Sequence, residues 1–199
     1  MSNAFLQSIK NRRSIYAIGN TLPIAEDRVV SLITETVRHT PSSFNSQSSR
    51  VVILFGEQHQ KLWDIVERQL QKIVPEEAFA STAKKIASFA AGAGTVLLFE
   101  DTRVIEELQQ KFALYAENFP VWSEHSTAIT QFAVWSALAQ ENIGASLQHY
   151  NPLIDDDVKK QWQLPDSWKL RAQLPFGSIE QPAGEKSYIP DEERFRIFK

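Results

Sequence analysis

The chain has no cysteine, which excludes disulfides, a thiolate nucleophile and a cysteine-held zinc. It also lacks long apolar runs: no stretch holds the roughly 20 apolar residues that a membrane-spanning helix needs. Excess charge is scarce. Against 24 Asp and Glu stand 21 Lys and Arg, a net charge of −3, so the basic field that attracts nucleic acid is missing. Several catalytic motifs are absent as well. There is no Gly-Lys-Ser/Thr phosphate loop, no Gly-x-Ser-x-Gly elbow and no His-Glu-x-x-His pair. His39, His59, His125 and His149 show no metal-ligand spacing. Gly92-Ala93-Gly94 precedes a strand instead of joining a strand to a helix, so it fails as a dinucleotide fingerprint. Met1 to Gln7 has no long apolar stretch behind basic residues, and no secretory signal is expected there. The lack of cysteine is compatible with a cytoplasmic protein, the expected location.

What remains is an ordinary globular composition, 43% hydrophobic and 23% charged. The 199 residues are read as one domain, 1–199, long enough to bury a sizeable core. Apolar spacing predicts helices over Asn3 to Arg13, from Glu26 to just before Pro41, His59 to Val74, Glu76 to Phe89 and Val104 to Glu117. Ser123 to Glu141 is apolar on more than one side, which predicts a helix running through the core. Asp155 to Trp162 opens with three acids, which suit a helix N-terminus. Buried strands are predicted at Arg50 to Phe55, Thr95 to Phe99 and Arg171 to Phe176, with a short extended piece at Ile143 to Leu147. The order of these elements favours an α+β architecture over a doubly wound one. In the tail, 179–199, Phe195 and Ile197 alternate with Arg194 and Arg196. That pattern predicts a strand at the end of an irregular arm, able to reach a neighbouring subunit.

Three polar clusters carry potential chemistry. Arg12-Arg13-Ser14 lies where the first helix should end. Guanidinium groups grip phosphate oxygens two at a time, yet for this cluster taken alone the favoured reading is a solvated basic helix end that offsets the dipole. Pro41-Ser42-Ser43-Phe44-Asn45-Ser46-Gln47 gathers hydroxyls and amides directly ahead of a buried strand. Alone it is a turn sequence, but binding groups gather on loops at strand ends. Gln148-His149-Tyr150-Asn151-Pro152 is polar and aromatic, suited to stacking on or bonding to a ring system. Phe112, Tyr115 and Trp122 are read as core or lid packing. A basic pair together with a polar, amide-bearing loop fits a phosphorylated, flat aromatic cofactor such as FMN.

In their order, these blocks resemble the nitroreductase family of FMN-dependent oxidoreductases. Arg12-Arg13-Ser14 is similar to its Arg-Arg-Ser-x-Arg signature, and Pro41 to Gln47 to its Pro-Ser-x-x-Asn-x-Gln loop. Gly144 to Pro152 and Leu174-Pro175-Phe176-Gly177 resemble a shorter subgroup that includes fungal nitroreductase-like proteins. The resemblance implies a central, mostly antiparallel sheet flanked by helices, a homodimer, and a C-terminal strand exchanged between subunits. It implies that Arg12 and Ser14, beside Arg13, hold the FMN phosphate and ribityl chain. Lys186 would be the second phosphate cation and Arg194 a lesser candidate. Pro41, Ser42, Ser43, Asn45 and Gln47 would meet the flavin from the partner subunit, with Gln148, His149 and Tyr150 beside the ring. The family often has Arg or Lys where this chain has Tyr16, whose hydroxyl would replace that charge contact in part. The implied reaction is ping-pong hydride transfer from NADH or NADPH through FMN to nitroaromatic or quinone-like acceptors. A flavin-binding regulatory or storage protein with little turnover is the competing expectation.

Overall fold

A computed structural model describes residues 3–199. The first helix, α1 (Ala4–Asn11), is capped by the side chain of Asn3, which accepts a hydrogen bond from Leu6 N. A short strand β1 (Ile18–Gly19) leads to α2 (Glu26–His39), with Glu26 and Asp27 at its positive end and Arg38 and His39 at its negative end. Strand β2 (Ser49–Phe55) runs straight into α3 (Gly56–Gln71), where Gly56 takes a φ of +50° that a side chain would resist. Then follow α4 (Glu76–Ala90), β3 (Gly94–Asp101), α5 (Thr102–Lys111) and the 22-residue α6 (Phe119–Gln140). The chain continues through β4 (Gly144–Ala145), α7 (Asp155–Trp162), β5 (Trp168–Ile179) and a single helical turn, α8 (Asp191–Arg194).

The sheet has five strands in the order β1-β5-β3-β2, with β4 also on β5, and every ladder is antiparallel. Helices cover both faces. Alternation along β3 explains the two cores. Leu97 and Phe99 point toward α3, α4 and α7, joining Leu62, Trp63, Val66 and Phe89. Val96 and Leu98 point the other way, joining Val29, Ile33, Val134 and Leu138 of α2 and α6. The architecture is therefore α+β, with an antiparallel sheet between helical layers.

The structure corrects several expectations. Strand β5 does not stop at Gly177 but passes through it to Ile179. β1 lies so close that a Cβ at Gly177 would sit 1.9 Å from the Gly19 carbonyl oxygen, so glycine here continues the sheet. The surface helix expected to reach Glu117 ends at Lys111 and gives way to a 3-10 turn at Ala113–Tyr115. Helix α6 enters the core through Phe119, Val134 and Leu138, but it also turns Ser123, Ser126, Thr127 and Thr130 inward and leaves Ile129 45% exposed.

Within one chain the tail forms no strand. Asp191–Arg194 forms a helical turn and residues 195–199 form no strand. Pro190 presets the φ leading into that turn, and three acids in succession suit its N-terminus. Phe195, Ile197 and Phe198 are all exposed, so the expected buried face has nothing to lie against within one chain.

Candidate functional site

The first wall forms where α1 stops. Arg12 leaves the helix with extended backbone, φ −66° and ψ 115°. Ser14 then bridges to Ala145, and Ile15 N donates to the Ala145 carbonyl at 2.9 Å. Extended backbone sends neighbouring side chains to opposite sides, so the two arginines part. Arg13 donates through Nη2 to the Gly184 carbonyl at 2.6 Å, tying down the loop after β5. Arg12 instead lies over the indole of Trp135, with Cζ 4.1 Å from the ring centroid. Its Nε is buried without a hydrogen-bond partner. Burial, and then the nearby Arg13, push the Arg12 pKa down from its ordinary value. An unpaired cation held against its own desolvation is a site in want of an anion.

These residues open onto a cavity of about 530 Å³ lined by Arg12, Arg13, Ser14, Tyr16, Gln181 and Lys186. The fold thus unites the N-terminal signature with Lys186, although more than 170 positions separate them in sequence. Arg194 lies outside this cavity, against the ring of Phe195.

The second wall is the loop from Pro41 to Gln47, which borders a separate cavity of about 150 Å³ shared with Ser49 and Thr130. Phe44, Asn45 and Gln47 have φ of +56°, +50° and +48°. Left-handed backbone is routine for Asn and costly for Phe, so the conformation needs support. Ser42 Oγ accepts from Gln47 N at 2.9 Å, and Ser43 N donates to Ser126 Oγ at 3.3 Å. Arg50 donates to the Gln47 carbonyl at 2.6 Å and to Asp101 at 3.1 Å. The Phe44 ring stacks on Trp122, 5.9 Å away with planes 18° apart, and also packs against Phe112, Tyr115 and Phe119.

Beneath this loop lies Glu100, only 2% exposed. Its carboxylate accepts from Ser48 Oγ and Ser49 Oγ, each at 2.6 Å. Burial pushes its pKa up, and the two serines with Arg171 and Arg50 counter that only in part. Arg171 occupies a β-bulge between β3 and β5 and pairs with Glu124 on α6. The bulge turns its side chain toward this polar layer.

The third cluster divides. Gln148 is buried, exchanging backbone hydrogen bonds with Gln173 at 2.7 and 2.9 Å, and its amide donates to Ser146 Oγ. Tyr150 packs edge-on against Trp63 in the core, where burial pushes its hydroxyl pKa up to about 12. His149 is exposed. Within one chain, then, Arg12, Arg13, Ser14, Tyr16 and Lys186 share a cavity, and the loop from Pro41 to Gln47 stands apart from it. Sequence reasoning missed Trp135 and Glu100. The pair Glu100-Asp101 at the end of an otherwise apolar strand was the available signal for the second. Among the described residues no group of His, Asp and Glu is placed to hold a metal ion. No helix among them is long and apolar enough to cross a membrane.

The sequence profile of the nitroreductase family matches residues 9–178. The chain is 33% identical to the Saccharomyces cerevisiae nitroreductase FRM2 over 188 residues, 93% of each chain. Among solved structures it matches nitroreductase CinD from Lactococcus lactis in complex with chloramphenicol. That match has a TM-score of 0.91 and 50% identity over 98% of this chain and 100% of CinD. A Desulfovibrio desulfuricans nitroreductase-fold protein solved with FMN shares the fold at a TM-score of 0.72, 19% identity and coverage of 100% and 99%.

Proposed function

The chain belongs to the nitroreductase family and is an oxidoreductase, and from that premise we propose an FMN-dependent NAD(P)H oxidoreductase acting on flat aromatic acceptors. The observation that carries this reading is the Arg12 guanidinium: partly buried, unpaired among the described residues, and open to a cavity that also receives Lys186. A phosphate monoester supplies the missing counter-charge and enough acceptor oxygens for both cations. The Ser14 hydroxyl beside them suits the ribityl chain.

Bound FMN supplies the hydride chemistry, accepting from NADH or NADPH and passing electrons to a nitroaromatic or quinone-like acceptor in ping-pong order. The chain's own residues bind and orient. Arg12 and Lys186 fix the phosphate end, and Tyr16 stands at the cavity edge. The loop from Pro41 to Gln47 offers hydroxyls and amides suited to the polar edge of a flavin. Because it lies apart from the Arg12 cavity, we assign it to the flavin of a second subunit. Exposed apolar groups support a homodimer: Phe5 and Ile129 on one face, Phe195, Ile197 and Phe198 on the tail. The tail is proposed to cross to the partner. CinD has been solved with chloramphenicol, nicotinic acid and 4-nitrophenol, and flat aromatic acceptors are proposed here by likeness.

The test is reconstitution with FMN followed by stopped-flow mixing with NADH or NADPH. Bound flavin that bleaches rapidly and is reoxidised by 4-nitrophenol or a quinone is the expected result. A protein that takes up no FMN overturns the reading. Flavin that binds and stays oxidised would replace the enzyme with a flavin-binding protein of little turnover.

A further inference from the structure

We infer that Trp135 is a positioning residue for the cofactor phosphate: its indole face presents the Arg12 guanidinium to the cavity. The inference rests on the FMN reading and adds to it a residue that does not line the Arg12 cavity. Three observations converge. The Arg12 guanidinium carbon sits 4.1 Å from the indole centroid, within range of a cation–π contact. Arg12 has no carboxylate and no hydrogen-bond acceptor among the described residues, so the ring is what orients it. The indole is itself fixed, because its N–H donates to the Ala145 carbonyl at 3.1 Å.

That carbonyl also receives Ile15 N at 2.9 Å. One oxygen therefore ties together α6, β4 and the segment that carries Arg12 and Ser14. A long arginine side chain free in water would lose rotamer entropy on gripping a phosphate. Lying flat on a fixed indole, it has lost much of that freedom beforehand, and although Nε is buried, the two terminal Nη groups are left without a partner among the described residues. Pre-orientation of this kind raises affinity without any new contact to the ligand. A carboxylate in the same place would orient Arg12 equally well but would repel the phosphate; an aromatic face orients without competing.

The test uses the full-length protein and two ligands, FMN and riboflavin, which lacks only the phosphate. Dissociation constants come from flavin-fluorescence titration. Trp135→Leu is expected to weaken FMN about 10-fold and riboflavin less than about twofold. Trp135→Phe, which keeps an aromatic face, should hold FMN within about threefold of the parent. Arg12→Lys keeps the charge but has no planar face to stack, and should reproduce the FMN-selective loss with Trp135 intact. Equal weakening of both flavins by Trp135→Leu makes the residue merely structural and overturns the proposal. So does an Arg12→Lys protein that binds FMN as tightly as the parent, a result that does not depend on how Trp135→Leu folds. A parent protein that binds neither flavin overturns the cofactor reading itself, which is a distinct outcome.

Discussion

His59 Nδ1 lies 2.8 Å from the hydroxyl of Thr95, inside the core between α3 and the sheet. The proton arrangement follows from the neighbours. His59 Nε2 faces the Ala90 carbonyl at 3.1 Å, which can only accept, so Nε2 carries the hydrogen. Nδ1 then accepts from Thr95, whose oxygen accepts the Trp63 indole N–H at 3.1 Å. The imidazole is satisfied when neutral and has no place for a second proton. Burial pushes its pKa below the ordinary 6.5, against smaller opposing effects from the Ala90 and Phe89 carbonyls. Between the two pKa values the unfolded chain binds more protons than the folded one. The stability His59 contributes is therefore complete above about pH 6.5 and falls as pH drops through the folded value. Urea denaturation at pH 8 and pH 5.5 should show this loss. His59→Gln should be about 1–3 kcal/mol less stable at pH 8 and should lack most of the decline.

Glu100 has the opposite sign. Its folded pKa is raised above the ordinary 4.5, chiefly by burial, so here the folded state holds the proton more tightly. Its contribution is greatest below about pH 4.5 and declines as pH rises through the raised value. Glu100→Gln cannot titrate. The stability of the parent minus that of this variant should thus fall between pH 4 and pH 8, measured by denaturant midpoints at constant ionic strength. A difference that rises over this range would mean that Arg50 and Arg171, with the hydroxyls of Ser48 and Ser49, outweigh burial.

Fold and site were legible to different depths. Elements with strong periodicity or flanking signals were plain: α7 begins and ends where its three acids and Trp162 place it. Helix α6 was legible only in part: it reaches the core through Val134 and Leu138, but composition does not reveal which residues turn inward, and Ser123, Ser126, Thr127 and Thr130 do so while Ile129 stays exposed. The tail is a related case. Alternation of Phe195 and Ile197 with arginines describes a strand only when a sheet edge takes it up, and within one chain the tail pairs with neither end of the sheet, β1 or β2. The Arg12 cluster and Lys186 could be joined through a family likeness, whereas the Trp135 platform depends on contact between α6 and the segment after α1. Neither spacing nor composition encodes that contact.

Phe44 separates backbone strain from packing. Its φ of +56° disfavours any side chain, yet its ring contacts four other aromatic residues. Phe44→Ala keeps the strain and loses the rings, and is expected to destabilise by about 1–3 kcal/mol despite the 50% exposure of the residue. Phe44→Gly loses the same contacts but tolerates the left-handed backbone, and should be about 1 kcal/mol more stable than the Ala variant. Chemical denaturation of the three proteins measures both differences. If Gly is no better than Ala, the loop relaxes once the ring is gone and its conformation is imposed by the aromatic cluster alone.

The exposed face of α6 connects assembly to the cofactor. Phe5, Thr36, Pro41, Ile129 and Phe132 line an apolar cavity of about 430 Å³, and Pro41 belongs to the loop assigned above to the partner's flavin. A second copy seated there would cover the apolar groups and bring a foreign surface against that loop. Ile129→Glu places a charge on this face without touching the interior of one chain, so the folded subunit should keep its stability within about 0.5 kcal/mol. Under the dimer reading a buried, unpaired carboxylate opposes association. Light scattering should therefore report monomers for this variant and dimers for the parent. Absorbance near the flavin band should fall with the shift, because each site loses the wall that its partner provides. A monomer that retains FMN at the parent's affinity would show that one chain completes the site, and the loop from Pro41 to Gln47 would then need another role.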